Sequence, residues 1–155
     1  MKYPNAFTLL EVMIVVVVLG VLAAVVIPRF GGITNEARSS ALQGSLGGVR
    51  SSIASFRTRA VIDGSDPFPT LAQLTTPGDV LSGEIPVNPY NGLSNVQAVS
   101  AGAGASRTVS GTSSYGWNYY VDNSTSPPAA VFYANTDDQT SVGDGSGGLK
   151  TANEL

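Results

Sequence analysis

The chain has 155 residues, with eight basic and eleven acidic side chains for a net charge of −3, and it has neither His nor Cys. That length holds one compact domain beside a membrane span and no second core, and the lack of Cys rules out a disulfide staple. Without His, Cys, a nucleophile elbow or a phosphate loop there are no evident catalytic players, and without a basic patch interleaved with aromatics there is no support for nucleic-acid binding.

Residues 1–6 contain Lys2 and Pro4 but no pattern of an element, and read as a short leader. Residues 7–28, FTLLEVMIVVVVLGVLAAVVIP, are apolar or Gly at every position from Val12 to Ile27. As a helix at about 1.5 Å per residue the stretch is about 33 Å long, enough for a bilayer core of about 30 Å. Glu11 is the only charge in it. A carboxylate near the bilayer centre costs about 2.5 to 3.5 kcal/mol, so Glu11 must find a partner, be neutral or sit near a headgroup. A cleaved secretory signal fits poorly, since the apolar run is long and only Lys2 precedes it. A plain signal anchor tolerates Glu11 near the headgroups. Arg29 and Arg38 follow the span, so charge bias alone does not set its orientation.

The helix is expected to continue beyond the span. Apolar side chains at Ile33, Ala37, Leu42, Leu46, Val49, Ile53, Phe56 and Ala60 follow one helical face, while Ser39, Ser40, Gln43, Arg50, Ser51 and Arg57 fall mostly on others. Residues 29–60 thus read as an amphipathic half of the same helix. Gly20, Pro28 and the Gly31-Gly32 pair weaken it, with Pro28 deleting a hydrogen bond and predicting a kink or local opening. Residues 61–92 form a Pro-rich connection, a stiff strap anchored by Phe68, Ile85 and Tyr90, with Thr70 capping a short helical turn.

Residues 93–135 predict a small antiparallel sheet. Val96 and Val99 flag one strand, and Tyr115–Val121 and Ala129–Ala134 are the best strands, joined by the turn-rich DNSTSPP. Between them SAGAGASRTVSGTSS, residues 100–114, is small and polar and reads as a mobile stretch. Asn123-Ser124-Thr125 is a formal glycosylation sequon. Residues 136–155 read as a polar, solvated tail in which Asp137, Asp138 and Asp144 could converge on a hard cation through oxygen ligands, although the spacing is not that of an EF-hand.

Ala6-Phe7-Thr8-Leu9-Leu10-Glu11 followed by an apolar run resembles the prepilin cleavage and methylation motif of type IV pilins and type II secretion pseudopilins. Phe68-Pro69-Thr70 and Ile85-Pro86-Val87-Asn88-Pro89-Tyr90 resemble segments of major pseudopilins, whereas residues 100–114 look like an insertion in that pattern. The resemblance implies an α+β, pilin-like fold with a long N-terminal helix packed on a small antiparallel sheet. It implies cleavage between Ala6 and Phe7 by a membrane prepilin peptidase, which then methylates the Phe7 amine; Ala6 stands where the family has Gly. It further implies that Glu11 meets the Phe7 ammonium of a neighbouring copy, or of its own chain, and that residues 20–28, between Gly20 and Pro28, stretch on assembly. The implied life of the protein begins in the cytoplasmic membrane with the domain outside. An assembly platform with a cytoplasmic ATPase then extracts it into a periplasmic or extracellular filament of copies of itself. Related major pseudopilins also bind calcium near the positions of Asp137, Asp138 and Asp144. A major-pseudopilin-like subunit, a pilin of an extracellular pilus and an anchored binding module that never polymerises are the three functions compatible with these residues; catalysis is not expected.

Overall fold

The computed structural model describes residues 7–155, and the side chains of all of these except 27–32. The chain divides into two compact units, the first ending at Asn35 and the second comprising Glu36–Leu155. One helix, α1 (Leu9–Asp63), contributes to both.

In the first unit every described side chain from Phe7 to Val26 is exposed. The segment Leu9–Val26 is long and apolar enough to cross a membrane. Its runs of Val are modest helix formers in water, but in an apolar medium a helix is the one way a single segment satisfies its own backbone polar groups. The helical assignment runs unbroken through Gly20 and Pro28.

In the second unit the stripe of α1 behaves as the sequence predicts from Leu42 onward. Leu42, Leu46, Val49, Ile53 and Ala60 are buried, and Phe56 packs partly against the same core. Ile33 and Ala37 are exposed, so the buried stripe begins later than the periodicity indicates. Ser39, which the pattern assigns to a polar face, is fully buried: its hydroxyl bonds to the Tyr90 hydroxyl at 2.9 Å and accepts the Ser141 amide at 2.8 Å. The helix stops at Gly64, whose φ of +69° admits the left-handed turn, and Ser65 N donates to Ala60 O at 2.9 Å to close it.

The Pro-rich connection holds α2 (Leu71–Thr75), with Thr70 as its cap in a reciprocal box with Gln73. Two of its carbonyls are tied to the sheet. Tyr119 OH donates to Pro69 O at 2.8 Å, and Trp117 Nε1 donates to Pro86 O at 2.7 Å. Asn88, fully buried, donates from Nδ2 to Gly116 O and accepts the Tyr90 amide. Phe68, Ile85 and Tyr90 pack against the core as the strap reading requires.

The sheet departs from expectation in one respect. β1 (Val96–Ala98), β2 (Trp117–Asp122) and β3 (Ala129–Ala134) lie in the order β1-β2-β3, with β2 and β3 antiparallel but β1 parallel to β2. A parallel pair needs a crossover of a dozen residues or more, and residues 99–116 supply it. They include α3 (Ala101–Ser106), capped by Ser100 and ended by Arg107 at φ 50°. The stretch expected to be mobile is thus the lid on the second face of the sheet. Beneath it Tyr133 OH donates to Ala103 O and Thr108 O, and buried Asn118 and Asn135 bond to each other. Gly104 lies so near the sheet that a Cβ there would fall 2.8 Å from Tyr120 Cβ. On the first face Trp117 stacks on Phe132 at 5.2 Å between ring centroids, in the core with Tyr119.

Residues 136–155, expected as a solvated tail, are structured. They form a hairpin of β4 (Gln139–Gly143) and β5 (Leu149–Thr151), followed by a 3-10 turn over Ala152–Glu154. Thr140 and Ala152 are fully buried. A polar composition concealed this because the anchoring is by a few small side chains and main-chain bonds, such as Ala152 N to Asp138 O at 2.9 Å.

Candidate processing and assembly site

The start of α1 is set by four residues. Thr8 immediately precedes the helix; its hydroxyl accepts the Glu11 amide at 3.3 Å, and its carbonyl accepts the Glu11 and Val12 amides at 3.1 and 3.4 Å. This is N-cap chemistry, and Thr8-Leu9-Leu10-Glu11 has the T-x-x-E spacing of a capping box. That signal is present in the four residues themselves, and it engages the Glu11 amide, whereas the pairing role implied by the resemblance concerns the Glu11 carboxylate. Glu11 also lies in the first turn, where its charge complements the positive end of the helix.

Phe7 stands one residue before the cap and is 76% exposed. In the uncut chain Phe7 is therefore outside the helix, and four-residue helical spacing does not by itself bring it over Glu11. Ala6 lies outside the described residues, so the cut expected between Ala6 and Phe7 is described on its Phe7 side alone. Gly20 sits within the exposed part of the helix with open space where a Cβ would be. Pro28 is within the helical backbone of α1.

Chemically, this end of the chain offers a surface and a single acid. Leu9, Val12, Met13, Val16 and Val17 are each about half exposed or more, along with the rest of the segment to Val26. At about 25 cal/mol per Å2 of apolar surface, so many exposed side chains cannot stand in water and require lipid or other protein. A carboxylate in such a setting demands a cation or a proton.

The three acids singled out as potential cation ligands are separated by function. Asp137 is exposed just before the hairpin. Asp138 accepts the Thr136 hydroxyl. Asp144 Oδ1 accepts the amides of Ser146 and Gly148 at 2.7 and 2.9 Å, which holds its carboxyl below the usual range. Among the described residues no group of three Asp, Glu, His or Cys side chains is disposed to hold a metal. At the sequon, Asn123 Nδ2 donates to Phe68 O at 2.8 Å while Oδ1 accepts the Phe68 amide at 3.1 Å, so this amide is occupied in fastening the strap.

Comparison with known proteins bears on the N-terminal end alone. A family model described as the prokaryotic N-terminal methylation motif matches residues 1–27. No curated protein and no solved structure matches the chain.

Proposed function

From residues 1–27, which carry the N-terminal methylation signal of type IV pilins and pseudopilins, we propose that this chain is a structural subunit of a type IV filament, closest in kind to a major pseudopilin of type II secretion. The observation that carries this reading is the combination of that motif with a helix segment, Leu9–Val26, that is wholly exposed and bears Glu11 as its only charge. The role is mechanical and not catalytic. The precursor sits in the cytoplasmic membrane with Glu36–Leu155 outside. A prepilin peptidase cuts before Phe7 and methylates the new amine, and an assembly platform driven by a cytoplasmic ATPase moves the subunit from lipid into the filament. There the apolar segments of neighbouring copies replace the lipid, and Glu11 compensates a Phe7 ammonium in low dielectric, where an unpaired charge typically costs about 3 to 5 kcal/mol. The pseudopilin assignment is supported by the segments around Pro69 and Pro86, whose carbonyls the aromatic strand β2 holds. The helical crossover α3, outside the pseudopilin pattern, supports the second reading, a pilin of an extracellular pilus.

Mass spectrometry of the native N-terminus tests the reading. The expected species begins at a methylated Phe7; an intact Met1 in assembled protein would overturn it. Fibres on the cell surface would select the pilus, and a short periplasmic assembly required for protein export the pseudopilus. Glu11→Ala is expected to be cut normally yet fail to assemble.

A further inference from the structure

Arg50 and Arg57 are seven residues apart on α1, about two turns, and so share a face. Arg107, the left-handed residue that ends α3, joins them on the wall of one groove of about 360 Å3, together with Phe68 and Phe132. No carboxylate side chain lines this groove. The three cations are aimed by main-chain oxygens and a ring. Arg50 donates from Nε and Nη2 to Phe132 O at 3.2 and 2.9 Å and from Nη1 to Leu155 O at 2.7 Å. Arg107 donates to Glu154 O, its own carbonyl accepts Asn153 Nδ2 at 2.9 Å, and the Arg57 guanidinium lies 4.9 Å from the Phe68 ring centroid. Such partners orient a guanidinium and leave N–H donors over. Burial first, and the nearness of Arg107 second, lower the Arg50 pKa.

The chain also holds acids without a use inside its own fold. Asp122, Asp144 and Glu154 are tied to nearby main-chain amides. Asp63 and Asp79, like Asp66, Glu84 and Asp137, are exposed and make no side-chain hydrogen bond among the described residues; Asp63 and Asp79 are set apart because together they line a second groove of about 190 Å3, with Arg59 and Phe56. Resting on the filament reading above, we propose that the groove of Arg50, Arg57 and Arg107 is a contact between copies that receives the Asp63 and Asp79 carboxylates of a second copy of this chain. Arginine forks suit carboxylates, and partial burial spares the pair much of the screening an open surface suffers. Because the two grooves are different surfaces, the contact repeats from copy to copy without having to close, as a filament requires.

The absence of native Cys gives a clean test in the full-length chain. Arg57→Cys and Asp79→Cys are placed together in cells that assemble the protein, and a short bismaleimide is added. The expected result is a ladder of dimers and higher species, absent from either single-Cys variant; assembled protein that stays monomeric would overturn the contact. A Cys pair on the exposed faces of neighbouring N-terminal segments serves as control. If that pair cross-links and the Arg57–Asp79 pair does not, this contact alone falls, whereas if neither does, the filament reading falls with it. Charge exchange gives the second arm. Arg57→Glu is expected to lower assembly at least tenfold and adding Asp79→Arg to restore it; an unaffected Arg57→Glu, or no restoration in a double variant whose melting is unchanged, overturns the proposal.

Discussion

Gly104 and Gly102 sit two residues apart in α3, yet their surroundings demand opposite things. A methyl at Gly104 meets the Tyr120 side chain at 2.8 Å, and at Gly102 it meets nothing within 4 Å. Gly104→Ala is therefore expected to destabilise the protein by about 1 to 3 kcal/mol through overpacking. Gly102→Ala gains helix propensity and is expected to be neutral or stabilising by up to about 1 kcal/mol. Thermal melts of the two variants in detergent, against the parent, check the difference in sign. Neither demand was visible in AGAGA as a string, since what separates the two glycines is the strand beneath them. Asn88 makes the same point for a polar side chain. Asn88→Ala takes the Nδ2 donor from Gly116 O, which keeps its bond from the Asn135 amide, and takes the Oδ1 acceptor from the Tyr90 amide, at a cost of about 1 to 3 kcal/mol, measurable as a lowered urea midpoint.

The strap between α1 and the sheet shows how an element without regular structure is held, and why its strength varies with pH. Tyr119 donates its hydroxyl proton to Pro69 O, and burial pushes its pKa above the ordinary value of 10. The neutral phenol is favoured in the folded state, so its contribution is complete below about pH 10 and is lost as pH rises from there towards the folded value. Alkaline titration of the parent is expected to show a loss of stability beginning above about pH 10. Tyr119→Phe should be less stable at neutral pH and show a smaller alkaline loss, read from urea midpoints across that range. The strap was legible because Pro and aromatic residues announce themselves, as were β2 and β3, which are rich in aromatic and β-branched residues. The direction of β1 was not legible: three residues carry no sign of parallel or antiparallel pairing, and it is the length of the crossover, together with Ser100 as a cap, that decides it. At the processing end the apolar run and its acid were legible from chemistry alone. The cap made by Thr8 lay in the same motif, yet a membrane reading directs attention to Glu11 as a charge and away from its amide.

At the scale of the whole chain, the final twenty residues were misjudged because composition weighs side chains and takes no account of where a main chain docks. The hairpin and the turn after it bring Ala152 into the core, place the Ser141 amide on the buried Ser39 hydroxyl of α1, and offer Leu155 O to Arg50. Deleting them would do more than shorten a loop. It would take Ala152 out of the core cluster, strip Ser39 of a donor and leave Arg50 with one carbonyl in place of two. Each loss is of the order of 1 to 3 kcal/mol, and folded domains hold only about 5 to 15 in reserve. A chain ending at residue 138 is therefore expected to insert in the membrane and lose its leader, since both steps read the N-terminal segment, but to present an unfolded domain that proteases remove. Immunoblots of membrane fractions, with N-terminal sequencing of what survives, check this: cleaved but short-lived protein is expected, and a protease-resistant, assembling chain would show that the hairpin is dispensable.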